Sequence, residues 1–119
     1  MLEGCKILVV EDEPMIAFDI EDTLIRAGAD VRIAQNVLDA FKLLQNESLS
    51  VAVVDHVLRG ETSDLIYIEL RRRGIRFIVT SGMKAPVNDA LVLPKPFSMR
   101  RLVRVLAAMK NEQVQQKST

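Results

Sequence analysis

The sequence predicts an α/β fold in which helices cover both faces of a parallel sheet of five strands. Two observations lead to this prediction. Short runs of aliphatic and β-branched residues recur along the chain, and segments with apolar residues at helical spacing lie between them. Uninterrupted apolar runs are typical of strands buried on both faces, and strands that alternate with helices form parallel sheets. Right-handed crossovers leave few topologies, so a doubly wound sheet is expected.

The first elements follow one another in a regular order. The strands are expected at residues 7–10, 31–34, 51–54, 77–79 and 91–94. The first helix starts at Pro14, which suits a first helical turn, and its apolar stripe continues up to Gly28. Asn36 is the expected N-cap of the second helix, which ends near Asn46.

The third helix begins after the third strand and stops at Gly74. Its candidate capping residues are Thr62, Ser63 and Asp64. The residues that it is expected to bury are Leu65, Ile66 and Leu70. Residues 82–90 contain Pro86 and allow at most a turn or two of helix, so the fourth helix is expected to be shortened or irregular.

The last helix is predicted to start with Ser98 as its N-cap. Its core stripe consists of Leu102, Val105, Leu106 and Met109. From about Asn111 the chain is polar, and this tail is expected to fray. With 119 residues the chain has the length of one domain, so residues 1–119 are interpreted as a single domain.

Composition excludes some classes of function. The chain has 16 basic and 16 acidic side chains, so a broad cationic surface for direct nucleic-acid binding is not expected. No apolar run approaches the roughly 18 residues that a membrane span needs. Cys5 is the lone cysteine and is expected to pack in the core, which fits a reducing, cytoplasmic location.

Polar side chains stand where four of these strands end. Glu11 and Asp12 follow the first strand, Asp55 the third, Thr80 the fourth and Lys95 the fifth. The carboxyl ends of parallel strands meet at one edge of the sheet, where ligands bind, so these residues are expected to converge. An aspartate can attack a phosphoryl group, and hard carboxylate oxygens suit Mg²⁺. Together, these carboxylates, the hydroxyl and the ammonium are the groups that a metal-assisted phosphoryl acceptor requires.

In this order and spacing the motifs resemble those of response-regulator receiver domains in two-component signalling, the chemotaxis-regulator-like family. The motifs read Val10-Glu11-Asp12, Val54-Asp55, Val79-Thr80-Ser81-Gly82 and Pro94-Lys95-Pro96-Phe97. The resemblance covers nearly the whole chain. It implies a flavodoxin-like sheet of strand order 2-1-3-4-5, and transfer of a phosphoryl group to Asp55 from a histidine kinase or phosphotransfer protein.

The resemblance also implies roles for single residues. Thr80 and Lys95 would contact the phosphoryl oxygens, and Mg²⁺ or Mn²⁺ would bind to carboxylates and to one backbone carbonyl. The metal ligands would be Glu11, Asp12, Asp55 and the carbonyl of Val57. Many family members carry an aromatic residue where this chain has Val92, so the family's usual rotation of that aromatic cannot be assumed. His56 is expected to be a loop histidine that points away from the site.

Several functional interpretations stay open at this point. The favoured one is a signalling receiver with at most self-phosphorylation and dephosphorylation activity, so not an enzyme. Its unknown output partner is expected on the surface formed by residues 82–104. The alternatives are a receiver-like interaction module that is not phosphorylated, a haloacid-dehalogenase-type phosphatase and a flavodoxin. The phosphatase class has an Asp-x-Asp motif after its first strand, and flavodoxins have a Ser/Thr-rich phosphate loop there, whereas this chain has Glu11-Asp12-Glu13.

Overall fold

A computed structural model describes residues 1–82, 87 and 90–118, with side chains described up to Glu112. The strands and helices, in chain order, are β1 (Lys6–Val10), α1 (Pro14–Arg26), β2 (Asp30–Ala34), α2 (Val37–Asn46), β3 (Val51–Asp55), β4 (Val57–Leu58), β5 (Glu61–Thr62), α3 (Asp64–Arg72), β6 (Arg76–Ser81), β7 (Leu91–Pro94) and α4 (Met99–Ser118). The two-residue strands β4 and β5 pair as a small antiparallel hairpin after β3.

The main sheet has five parallel strands in the order β2-β1-β3-β6-β7. When only these five strands are numbered, the order is the predicted 2-1-3-4-5. β3 pairs with β1 on one side and with β6 on the other, with Val10 opposite Val54 and Asp55 opposite Thr80. This register brings the ends of the three central strands to the same edge of the sheet. The predicted doubly wound fold is therefore confirmed.

Alternate residues of the strands face two separate cores. Leu8, Ala52 and Val79 pack with α2 and α3 on one face of the sheet. Their neighbours Val9, Val53 and Ile78 pack with α1 and α4 on the other face. This two-sided burial explains why the strands are continuously apolar in sequence.

Two predicted helix starts are confirmed by their hydrogen bonds. The side-chain oxygen of Asn36 accepts a hydrogen bond from the backbone N–H of Asp39 at 2.8 Å, so it caps α2. The Ser98 hydroxyl accepts one from the backbone N–H of Arg101 at 3.1 Å and caps α4. Both side chains satisfy backbone donors that a helix start leaves without intrahelical partners.

The structure differs from the sequence prediction in α3. Leu65 was expected in the core and is 62% exposed, because the buried stripe consists of Ile66, Tyr67 and Leu70. Leu65 lies one position before that stripe and therefore faces solvent.

Two further predictions concern the last third of the chain. The backbone of α4 remains helical past Asn111, in a stretch of Gln and Lys residues that favour helix, so fraying of this end stays a prediction. The shortened fourth helix falls on a segment that includes residues 83–86 and 88–89, which lie outside the described residues.

Candidate functional site

The backbone of the strand ends fixes the positions of the predicted site residues. The N–H of Glu11 donates to the carbonyl of Ala34 at 3.0 Å, at the point where β1 and β2 separate. The N–H of Lys95 donates to the carbonyl of Ser81 at 2.8 Å and holds the turn after β7 beside the end of β6. Glu11 at the end of β1 and Lys95 after β7 are thereby held at the same edge of the sheet as the end of β3.

The side chains of Lys95, Asp55 and Glu11 meet at this edge. The Lys95 Nζ atom lies 3.0 Å from Asp55 Oδ2 and 3.5 Å from Glu11 Oε1. Glu11 is 2% exposed and Asp55 is 8% exposed, so both carboxylates are largely removed from water. In such a place a charge is costly unless a partner compensates it, and the ammonium of Lys95 is that partner.

Glu11, Asp12 and Asp55 form a compact carboxylate cluster. One oxygen of each can be chosen so that the three atoms lie within 4.8 Å of one another. Hard oxygen donors at this separation fit Mg²⁺ or Mn²⁺, since Mg²⁺ is bound by few carboxylates and completes its octahedron with waters and phosphate oxygens. The predicted carboxylate ligands are therefore brought together. Liganding by the carbonyl of Val57, which opens the hairpin after Asp55, stays a prediction.

Burial and charge shift two protonation equilibria in the site. Burial, reinforced by the nearby charge of Asp55, raises the pKa of the Glu11 carboxyl to about 7. Burial works against the ammonium of Lys95, but its hydrogen bond to Asp55 and the two carboxylate charges outweigh that effect and raise the pKa of Lys95. Lys95 thus stays charged, while Glu11 gains and loses its proton near neutral pH when no cation is bound.

Thr80 lies at the end of β6, directly opposite Asp55 in the register. Its side chain is buried, with 2% exposed, and its carbonyl accepts a hydrogen bond from the N–H of His56 at 2.9 Å. Thr80 is therefore adjacent to Asp55 in the sheet, as the strand-end argument predicts. The contact between its hydroxyl and a phosphoryl oxygen stays a prediction.

Two contacts around Asp55 were not predicted from the sequence. The hydroxyl of Ser63 donates to the carbonyl of Asp55 and so holds the end of β3. Ser63 occupies the N-cap position of α3, but its side chain makes no capping hydrogen bond, because its hydroxyl is used by Asp55. His56 lies in the loop after β3, but its ring is buried and its Nδ1 atom is 2.9 Å from the hydroxyl of Tyr67. A polar residue just before a helix was the only sequence signal for Ser63.

No protein-family model matches the chain. A curated protein from Bacillus subtilis, an uncharacterized transcriptional regulatory protein named YrkP, is 30% identical over 123 residues, which cover 93% of this chain and 52% of that protein. The chain thus spans about half the length of this curated relative.

Two solved structures are also similar. SdrG from Sphingomonas melonis Fr1 is 32% identical with a TM-score of 0.73, and the match covers 87% of this chain and 94% of SdrG. A response regulator receiver domain protein from Methanospirillum hungatei JF-1 is 23% identical with a TM-score of 0.85, and the match covers 94% of this chain and 98% of that one. The chain shares the fold of response regulator receiver domains.

This receiver-like fold carries the cluster of Glu11, Asp12 and Asp55 at its strand ends. Among the described helices, none is long and apolar enough to cross a bilayer.

Proposed function

We propose that this receiver domain takes a phosphoryl group onto Asp55 and passes a signal through the resulting change in conformation. The observation that carries the proposal is the contact of Asp55 with Lys95 at 3.0 Å inside a cluster with Glu11 and Asp12. A nucleophilic carboxylate, a cation and two further carboxylates are what metal-assisted phosphoryl transfer requires. The proposed donor is a histidine kinase or a phosphotransfer protein, which carries the group as phosphohistidine.

In the proposed reaction a carboxylate oxygen of Asp55 attacks the phosphorus atom. The O–P bond forms, the P–N bond to the donor histidine breaks, and the histidine nitrogen keeps the electron pair and takes up a proton. Lys95 orients the carboxylate before transfer and lies close enough to follow the new charge on the phosphoryl oxygens. The Thr80 hydroxyl is proposed to donate to another of those oxygens.

Glu11, Asp12, Asp55 and the Val57 carbonyl are the proposed ligands of a divalent cation. When bound, Mg²⁺ or Mn²⁺ supplies positive charge that offsets the repulsion between the cluster and the incoming phosphoryl oxygens. The requirement follows from the residues themselves, because Lys95 carries one positive charge against three carboxylates.

The other interpretations have less support. The acidic sequence after β1 repels the phosphate of a flavin and lacks the Asp-x-Asp motif of the dehalogenase-type phosphatases. A binding module without phosphorylation would not need to bury Glu11 and Asp55 beside Lys95, since such an arrangement is costly to desolvate. We therefore favour the phosphoacceptor role, with self-phosphorylation and dephosphorylation as the limit of its catalysis.

Labelling with a small phosphodonor tests the proposal. Incubation with acetyl phosphate and Mg²⁺ is expected to add the mass of one phosphoryl group, and chelation of the cation is expected to prevent it. Asp55→Asn should abolish this gain in mass, because the asparagine side chain lacks a nucleophilic carboxylate oxygen. Asp19→Asn is a matched control on the exposed face of α1 and should be labelled like the wild type. Single-site labelling of Asp55→Asn would overturn the assignment.

A further inference from the structure

Three buried rings form a column that begins beside Asp55. The ring centroids of His56 and Tyr67 are 5.9 Å apart with planes 3° from parallel, and those of Tyr67 and Phe77 are 5.2 Å apart at 5°. All three side chains are at most 5% exposed. The column also contains a hydrogen bond, between His56 Nδ1 and the Tyr67 hydroxyl at 2.9 Å.

The backbone of His56 is held together with that of Asp55. The N–H of His56 donates to the carbonyl of Thr80, and the carbonyl of His56 accepts from the N–H of Ser63, both at 2.9 Å. The hydroxyl of Ser63 in turn donates to the carbonyl of Asp55. The peptide groups on both sides of His56 are thus held against the end of β6 and the start of α3, so the His56 side chain leaves the backbone at a fixed place next to Asp55.

The hydroxyl of Tyr67 is not needed for packing. A phenylalanine would bury the same ring, and replacing both partners of a buried polar pair by apolar groups of the same shape can leave stability nearly unchanged. Burial, reinforced by the charges of Asp64 and Asp55, raises the pKa of the Tyr67 phenol, so the hydroxyl stays protonated. The Tyr67 hydroxyl therefore keeps its proton for the hydrogen bond to His56, the residue next to Asp55.

We propose that the hydrogen bond between Tyr67 and His56 positions the Asp55 carboxylate for phosphoryl transfer, which makes Tyr67 a positioning residue of the site. This inference rests on the proposed function of Asp55. The hydrogen bond fixes the rotation of the His56 ring, and the anchored backbone converts that rotation into the orientation of the strand end. Tyr67 acts through His56 and does not itself contact the phosphoryl group.

Tyr67→Phe is the first test, because it keeps the ring column and removes only the hydroxyl. The rate of labelling by acetyl phosphate at saturating Mg²⁺ is expected to fall about 10-fold, which corresponds to about 1.4 kcal/mol and is the size of one net hydrogen bond. Leu65→Ala is the matched control on the same helix, where the side chain is exposed and should leave the rate unchanged. Thermal unfolding of each variant establishes that it is folded.

A rescue series separates positioning from a role in stability. His56→Asn retains an amide group near the place of Nδ1 that can bond to the Tyr67 hydroxyl, whereas His56→Phe retains the ring and loses that bond. The Asn variant should keep a labelling rate closer to the wild type than the Phe variant does. The double variant His56→Phe with Tyr67→Phe should be no slower than Tyr67→Phe alone, since loss of the Tyr67 hydroxyl already removes the contact that His56→Phe removes.

The composition of the chain provides a direct spectroscopic readout. The chain has one tyrosine, one histidine and no tryptophan, so intrinsic fluorescence reports Tyr67 and imidazole resonances report His56. Beryllofluoride with Mg²⁺, a mimic of the phosphoryl group, should change both signals in the wild type and neither in Asp55→Asn.

The outcomes distinguish the two proposals. If wild-type protein is not labelled, the proposed function fails. If it is labelled and Tyr67→Phe reacts at the wild-type rate, the positioning role is wrong and the function stands. If Tyr67→Phe does not fold, the ranking of the His56 variants decides, and a Phe variant as fast as the Asn variant overturns the inference.

Discussion

Glu11 is the most deeply buried of the three clustered carboxylates. Its side chain is 2% exposed and faces Asp55, with Lys95 at 3.5 Å as the compensating charge. Burial raises the pKa of this carboxyl from 4.5 to about 7, so Glu11 of the cation-free domain titrates near neutral pH. A divalent cation requires the ionised form, so cation binding and proton binding compete at this residue.

The pH dependence of stability follows from this shift. An acid whose pKa is higher in the folded state stabilises the fold below its unfolded pKa, and that stability is lost as pH rises through the folded value. Without a cation, wild-type stability should therefore fall by on the order of 3 kcal/mol between about pH 4.5 and pH 7 on account of this group. Glu11→Gln should flatten the fall, and denaturant unfolding at several pH values measures it.

The same variant should respond differently to Mg²⁺. Saturating Mg²⁺ is expected to stabilise the wild type above pH 7, by about 2.7 kcal/mol at 100 times the dissociation constant. Glu11→Gln should gain less, because it has lost a ligand. Glu61→Gln, on the exposed strand β5, is the control and should behave like the wild type in both respects. Equal Mg²⁺ stabilisation of Glu11→Gln and wild type would remove Glu11 from the ligand set.

Variants of Lys95 and Thr80 are expected to separate the conformational response from Mg²⁺ binding. Lys95→Ala and Thr80→Ala keep all three carboxylates, so both should bind Mg²⁺, yet both should lose most of the amide chemical-shift changes that beryllofluoride causes. Thr80→Ser retains the hydroxyl and should respond like the wild type. Lys42→Ala, on an exposed position of α2, is the control for the lysine. Wild-type shift changes in either alanine variant would show that its assigned role is wrong.

Part of the site could be predicted from the sequence because the ends of buried strands can be recognised there. A polar residue directly after a buried run lies at the edge of a parallel sheet, so Glu11, Asp55 and Lys95 could be placed together before any coordinates. Ser63 and Tyr67 could not, since their roles depend on which side of α3 faces β3. That orientation is decided by tertiary packing and is absent from the local pattern.

At the scale of elements, α2 shows how much a short polar residue decides. Asn36 accepts a hydrogen bond from the N–H of Asp39, and α2 starts at the next residue after Asn36. Asn36→Ala should lower the free energy of unfolding by about 1 kcal/mol, because one backbone donor at the helix start loses its partner. Gln45→Ala, exposed in the last turn of the same helix, should have a much smaller effect. Denaturant unfolding compares the two, and equal effects would mean that the cap contributes nothing.

The arginine run at the end of α3 illustrates what local reasoning captures. Arg72 and Arg73 both bind Glu69, at 2.6 and 2.7 Å, so two of the three cations serve the helix that carries them. Cations in the last turn of a helix also complement the helix dipole. The third, Arg71, lies over the ring of Phe77 with its guanidinium carbon 5.7 Å from the centroid, a contact that requires the folded sheet.

At the scale of the whole molecule, the alternation of strands and helices along the chain predicted a parallel sheet covered by helices. The family resemblance implied the order of its strands. Each strand of the main sheet contributes side chains to both hydrophobic cores. Its continuous apolar sequence is therefore typical of a sheet that is covered on both faces. The small hairpin of β4 and β5 was not predicted, because four residues in two-residue strands leave no periodicity to detect. The N–H of Arg59 in that hairpin donates to Asp12 at 3.0 Å, which links it to the carboxylate cluster.

The last prediction concerns the surface of residues 82–104, where we expect the output partner. A ligand moves a conformational equilibrium only if it binds the two states differently. The proposed differential contact is Thr80 drawn toward the phosphoryl group, and the chain continues from it through Ser81 into residues 82–90. Beyond them, Arg100, Arg101 and Arg104 are exposed on α4 and available to an acidic partner.

Hydrogen exchange with and without beryllofluoride measures this directly. Protection should change within residues 82–104 in the wild type, because Thr80 moves the chain that leads into this surface, and it should not change in Asp55→Asn. Lys95→Ala and Thr80→Ala should show a reduced change there. If the changes were confined to the loop after Asp55, the mimic would have bound without reaching residues 82–104. A signalling surface would then have to be sought nearer the hairpin, where Arg59 already contacts Asp12.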